Sequence, residues 1–224
     1  MIHFSERNFN RALLISFLFI SLLIISRVLY SGTSRYVFIA WNLFLGWLPY
    51  FLSNYFKEMK NSAPWKQGCL FFCWALFLPN ALYMVTDLIH LGASTNVPLW
   101  YDACLLFGAA FTGIMMAFIS IRNVELFLIE KFDHKIIKIF VPFMLFMSSF
   151  GVYLGRFERW NSWDVFINPV GLGTSILSCI ISPLENYKVW ATTIIFTGIF
   201  SMLYFFICPV NTRTYKKWAE WFIS

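Results

Sequence analysis

Ala12-Leu13-Leu14-Ile15-Ser16-Phe17-Leu18-Phe19-Ile20-Ser21-Leu22-Leu23-Ile24-Ile25-Ser26 carries no charge, and Ser16, Ser21 and Ser26 are its polar residues. A helix rises about 1.5 Å per residue, so roughly 20 such residues cross about 30 Å of hydrocarbon. Working outward, comparable runs recur, and the spans are expected at about 12–30, 37–56, 66–85, 102–121, 136–155 and 190–208. Only 12% of the 224 residues are charged, about half the share of an ordinary soluble domain. The reading is a single all-α transmembrane domain over 1–224, a polytopic integral membrane helix bundle with six transmembrane helices.

The net charge of +6 forms no basic stripe of the kind nucleic-acid binding needs. In membrane proteins the placement of Lys and Arg sets orientation. Six spans put Arg7, Arg11, Lys57, Lys60, Lys66, Arg122, Lys131, Lys135, Lys138, Arg213, Lys216 and Lys217 on one side. Arg35, Arg156, Arg159 and Lys188 fall on the other. The expected address is the cell membrane, multi-pass, with both termini cytoplasmic. The first run has no clear small-residue cleavage site after it and reads as an uncleaved helix rather than a signal peptide. Trp100, Trp160, Trp163 and Trp190 would mark the outer interface, and Trp65, Trp218 and Trp221 the inner one.

Two connections are long. Arg122 to Lys135 is mixed in charge and reads as a cytoplasmic loop. Arg156 to Lys188 begins polar, passes Asn168-Pro169 and Gly171-Leu172-Gly173, and becomes apolar up to Ser182-Pro183. A seventh span there would put the basic C-terminus outside. An interfacial or re-entrant segment between helices five and six fits better, because irregular backbone needs cover from protein or water. Ala109, Gly113 and Ala117, and Gly151 with Gly155, form small-residue stripes that let helix backbones approach. Cys69 and Cys73 lie a turn apart, but a structural zinc site needs four ligands.

Two polar clusters interrupt this apolar background, and both map to the extracytoplasmic side. One is LPNALYMVTDLIHL at 78–91, continued by VPLWYD at 97–102. The other is GVYLGRFERWNSWD at 151–164. Polar groups are costly near a bilayer, so such density points to a site. Pro79 should kink or end its helix. If helix continues, Tyr83, Asp87 and His90 share a face at spacings of four and three.

Asp87 and His90 admit three readings. They can satisfy each other at a helix end. They can be metal ligands, with Asp102 and Asp164 completing the shell around a divalent cation. They can be a catalytic acid and base, since imidazole titrates near neutrality and a carboxylate orients it. Arg156 and Arg159 suit phosphate, which guanidinium grips with paired hydrogen bonds, although arginines at helix ends also snorkel to lipid. Asn80, Tyr83, Thr86, Tyr101, Asp102, Tyr153, Asn161 and Asp164 complete the candidate binding set with those two arginines. No P-loop, nucleophile elbow or H-E-x-x-H is present.

The three quoted strings resemble the bacterial membrane proteins grouped as domain of unknown function 1361, from about Trp41 to the last span. That resemblance implies a multi-pass bacterial membrane protein and carries no reaction with it. The expectation is a pocket between helices three, four and five, closed by the Arg156–Lys188 segment. Its partners would be the lipid bilayer and a polar or phosphate-bearing headgroup of a lipid or envelope precursor. A non-catalytic accessory subunit bound to a membrane-protein partner and a small transporter are the alternatives.

Overall fold

The computed structural model describes residues 6–92 and 97–208, and every regular element among them is helical. The helices are α1 (Glu6–Ser31), α2 (Phe38–Glu58), α3 (Pro64–Tyr83), α4 (Leu99–Ile129), α5 (His134–Phe157), α6 (Asp164–Ile167), α7 (Pro169–Ile181) and α8 (Tyr187–Ile207). A 3-10 segment, Met84–His90, prolongs α3. Arg213, Lys216, Lys217, Trp218 and Trp221 lie outside the described residues.

Five segments are long and apolar enough to cross a membrane: α1, α3 with its 3-10 extension, α4, α5 and α8. α2 is 21 residues long, but Asn42, Pro49, Ser53 and Asn54 make it less apolar than the five. α7 has 13 residues, roughly 20 Å of helix, which falls short of about 30 Å of hydrocarbon.

α4 is the most deeply packed of the long helices. On one side Leu105, Leu106, Ala109 and Met116 meet buried residues of α1 and α2. On the other, Ala117, Phe118, Ile121 and Val124 meet α3, α5 and α8. α1 and α8 turn Leu14, Leu18, Leu22, Ile194, Met202 and Phe206 outward, as surfaces facing lipid do. Close approach depends on glycine at two contacts. A Cβ on Gly113 would collide with the Ala81 carbonyl, and one on Gly151 would sit 2.7 Å from Pro79 Cγ. Both stripes noted in the sequence are therefore packing surfaces.

Two boundaries differ from expectation. α4 does not end near residue 121; it continues to Ile129, so most of the expected cytoplasmic loop is helix. Arg122 and Glu125 pair at 2.7 Å along this extension, and Tyr204 of α8 donates to Glu125 at 3.0 Å. Inward-facing partners stabilise charges that a loop would expose. Pro79 also does not end α3. The helix runs through it to Tyr83 and then tightens to 3-10.

Helix starts follow local chemistry. Pro64 and Pro169 occupy first turns, where the missing N–H costs nothing. The Asn168 side chain accepts from Gly171 N at 3.0 Å and caps α7. Trp74 Nε1 donates to Ser120 Oγ at 2.6 Å, and Ser120 donates to Pro49 O at 2.9 Å. That chain ties α3 and α4 to the α2 backbone at Pro49.

Candidate functional site

The 3-10 extension has three residues per turn, so Asp87 and His90 stack on one face. Arg156, in the last turn of α5, reaches across to that face. Its Nε donates to Thr86 Oγ1 at 2.8 Å, its Nη2 to Asp87 Oδ1, and its Nη1 lies 2.9 Å from His90 Nε2. Guanidinium has no acceptor, so His90 Nε2 accepts and the imidazole proton sits on Nδ1. The Tyr83 ring lies under the guanidinium, 4.5 Å from Cζ. Asn42 of α2 donates to the second Asp87 oxygen at 2.8 Å. Thr86 is fixed in turn by its bond to Tyr83 O at 2.6 Å.

The His90 carbonyl is held from the other side. Tyr36 OH donates to it at 3.0 Å and Arg35 Nη2 at 3.2 Å. Burial, and next the Asp102 carboxylate, push the Tyr36 phenol above its ordinary value, so it stays protonated and remains a donor. The His90 ring meets Phe38 edge to face with centroids 5.4 Å apart.

A cleft of about 310 Å³ opens beside this cluster. Trp41, Asn42 and Leu45 of α2 form one wall; Pro79, Asn80 and Tyr83 of α3 form the second. Gly151, Leu154 and Gly155 of α5 form the third, and Trp160, Asn161, Ser162, Val165, Leu172 and Ile176 cover it. Asn80 Nδ2 donates to Ser162 Oγ at 2.9 Å, and Ser162 donates to Leu76 O at 3.0 Å, which fastens the cover to α3. Asn42 and Tyr83 belong both to the cleft and to the Arg156–Asp87 cluster.

Sequence reasoning brought Tyr83, Thr86, Asp87, His90 and Arg156 together, and the structure joins them. Asn80 and Asn161 line the cleft. Several other candidates lie elsewhere. Asp102 is buried against Arg27, accepting from Nε at 2.7 Å and Nη2 at 3.2 Å. Tyr101 donates to Leu23 O at 2.9 Å and ties α4 to α1. Tyr153 packs on Phe157. Arg159 is exposed at φ 62° and turns the chain out of α5, with Trp160 N returning to Leu154 O at 3.1 Å. Asp164 accepts from Asn161 N at 2.6 Å within its own turn.

The four-residue metal set Asp87, His90, Asp102 and Asp164 is therefore not assembled, and each carboxylate has its own partner. Among the described residues, no group of three His, Cys, Asp or Glu side chains stands close enough to hold an ion. The cleft has walls from α2, α3 and α5, and α4, expected as a wall of a pocket, supplies none of its described lining residues. Asn42 and Trp41 escaped notice because a single amide in an aromatic run looks like tolerated polarity. The available signal was that an amide inside a span needs a buried partner.

No curated protein and no solved structure is detectably similar to the chain. The profile of a family described as protein of unknown function DUF1361 matches residues 41–203, from the α2 wall of the cleft through most of α8. The chain belongs to the DUF1361 family.

Proposed function

We propose that the protein spans the cell membrane six times, with both termini cytoplasmic, and holds a polar lipid headgroup at its extracytoplasmic end. The headgroup would belong to a membrane lipid or a lipid-linked envelope precursor. α2 as the sixth span is supported by its reach. Asn42, near its start, bonds Asp87, while Ser53 and Asn54, near its end, accept from Asn123 at 3.0 Å. The orientation rests on Lys and Arg, which gather at the end where Lys60 pairs with Glu130. α7 then lies within the outer leaflet as a short re-entrant or interfacial helix.

The observation that carries this reading is the wall shared by cleft and cluster. Asn42 and Tyr83 present themselves to the cleft while being fixed from behind by Asp87 and Arg156. Recognition groups locked by a second layer of bonds are what a binding site needs. The cleft volume falls at the low end of the roughly 300–1,000 Å³ found for small-molecule sites. Asp87 and His90 act here as positioning residues for Arg156. A proton-transfer role would require that grip to open.

Native mass spectrometry of the full chain, purified in mild detergent, tests the reading. The expected result is a retained envelope lipid that disappears in Val165→Trp, which fills the cleft, with the melting temperature unchanged. Equal lipid content in both proteins would overturn it.

A further inference from the structure

The chemistry of the cleft narrows what it holds. Among the described residues, none that lines it is Asp, Glu, Lys, Arg or His. Arg156, which packs on the Tyr83 ring, is matched by Asp87 and gives three of its donors to Thr86, His90 and Asp87. Arg159, the second cation expected for an anion, does not line the cleft. A phosphate entering would lose its hydration and meet no free cation, with the Asp87 carboxylate just behind Asn42. Lost hydration with no counter-charge gained disfavours it.

What the cleft offers instead is uncharged and directional. Asn42, Asn80 and Tyr83 belong to the lining, and their Oδ1, Oδ1 and OH atoms have no hydrogen-bond partner among the described residues. Two of these are acceptors and the third both donates and accepts. Trp41 and Trp160 add flat apolar faces. Amide and phenol groups between aromatic faces match a ring of hydroxyls with apolar C–H faces. Trp41 of the lining is 54% exposed and its ring stands 5.5 Å from that of Phe44, itself 46% exposed, so an acyl tail can remain in lipid along this apolar surface.

We infer that the occupant is an uncharged, hydroxyl-rich headgroup of the glycosyl-lipid class and not a phosphate. This rests on the headgroup-site reading above. Asn80 is the specificity-determining residue, because it spans cleft and cover.

The test uses the full chain in phosphatidylcholine nanodiscs doped equally with glucosyl diacylglycerol, phosphatidic acid or diacylglycerol. Lipid retained on ejection into a mass spectrometer is the readout. Glucosyl diacylglycerol should be retained at least tenfold over the other two. Asn80→Leu should abolish that preference with folded protein still recovered, and Val165→Trp should do the same at unchanged melting temperature and without removing any hydrogen bond. Preferential retention of phosphatidic acid, or a glucosyl preference that survives Val165→Trp, overturns the inference while a headgroup site remains. Failure of the wild-type protein to retain any doped lipid over phosphatidylcholine overturns both readings.

Discussion

The molecule contains two Arg–Asp clusters built from the same parts. Arg27 pairs with Asp102, bonds Thr33 Oγ1 at 3.1 Å and lies 4.5 Å over the Tyr36 ring. Arg156 pairs with Asp87, bonds Thr86 Oγ1 at 2.8 Å and lies 4.5 Å over the Tyr83 ring. The difference is in their surroundings. The side chains of Arg27 and Asp102 are 1% and 2% exposed, and neither lines the cleft beside Asn42 and Tyr83. Arg156 is 11% exposed, has His90 as a further partner, and stands behind two residues of the cleft. One cluster joins α1 to α4, while the other holds a wall of the cleft in place.

The sharpest way to break this comparison is to remove one charge from the closed cluster. Asp102→Asn leaves Arg27 buried without its counter-charge, and such losses cost about 3–5 kcal/mol. Folded protein recovered in detergent should collapse, as read by gel filtration. Wild-type recovery would show that water or another partner reaches Arg27. The matching change in the open cluster should cost less. Asp87→Asn keeps an acceptor for Arg156 beside partial solvent and a His90 contact. About 1–3 kcal/mol, the cost of a weakened buried polar contact, is expected as a lowered melting temperature with folded protein still recovered.

A smaller effect sharpens the link between the open cluster and helix packing. Gly151→Ala forces α5 away from Pro79, and overpacking of this kind costs about 1–3 kcal/mol. Because α3 and α5 are two walls of the cleft, lipid retention should fall together with the melting temperature. The smallest effect concerns Arg159, whose left-handed conformation costs a non-glycine residue about 1–2 kcal/mol. Arg159→Gly relieves it but adds freedom to the unfolded chain, so the melting temperature should hold or rise slightly. A marked fall would mean that the arginine side chain does more than turn the backbone.

How much of this was legible in sequence depends on whether the signal was local. α1, α3, α4, α5 and α8 were legible because spanning a bilayer is a matter of length and apolarity within one segment. The Gly151/Gly155 stripe was legible for the same reason, since small side chains mark close approach wherever the partner lies. The spacing of three made Asp87 and His90 legible as neighbours, whereas Tyr83 joins them through Arg156 and not through the expected α-helical face. Partner choice was not legible. Arg27 sits at the end of one span and Asp102 at the start of another, and 75 residues separate them. Proximity in three dimensions alone could withdraw Asp102 from the candidate site and bring Asn42 into it. The α4 extension was missed because Arg122, Asn123 and Glu125 read as loop polarity. Glu125 and Asn123 find partners, Tyr204, Ser53 and Asn54, on other helices.

The central claim is that the open cluster serves the cleft and the closed cluster serves the fold. Measuring folded recovery and retained lipid together for Asp87→Asn and Asp102→Asn tests it most directly. The account predicts that Asp87→Asn stays folded and loses bound lipid, while Asp102→Asn loses the folded protein itself. Asp87→Asn losing its fold as completely as Asp102→Asn, or folding with its lipid intact, would contradict it.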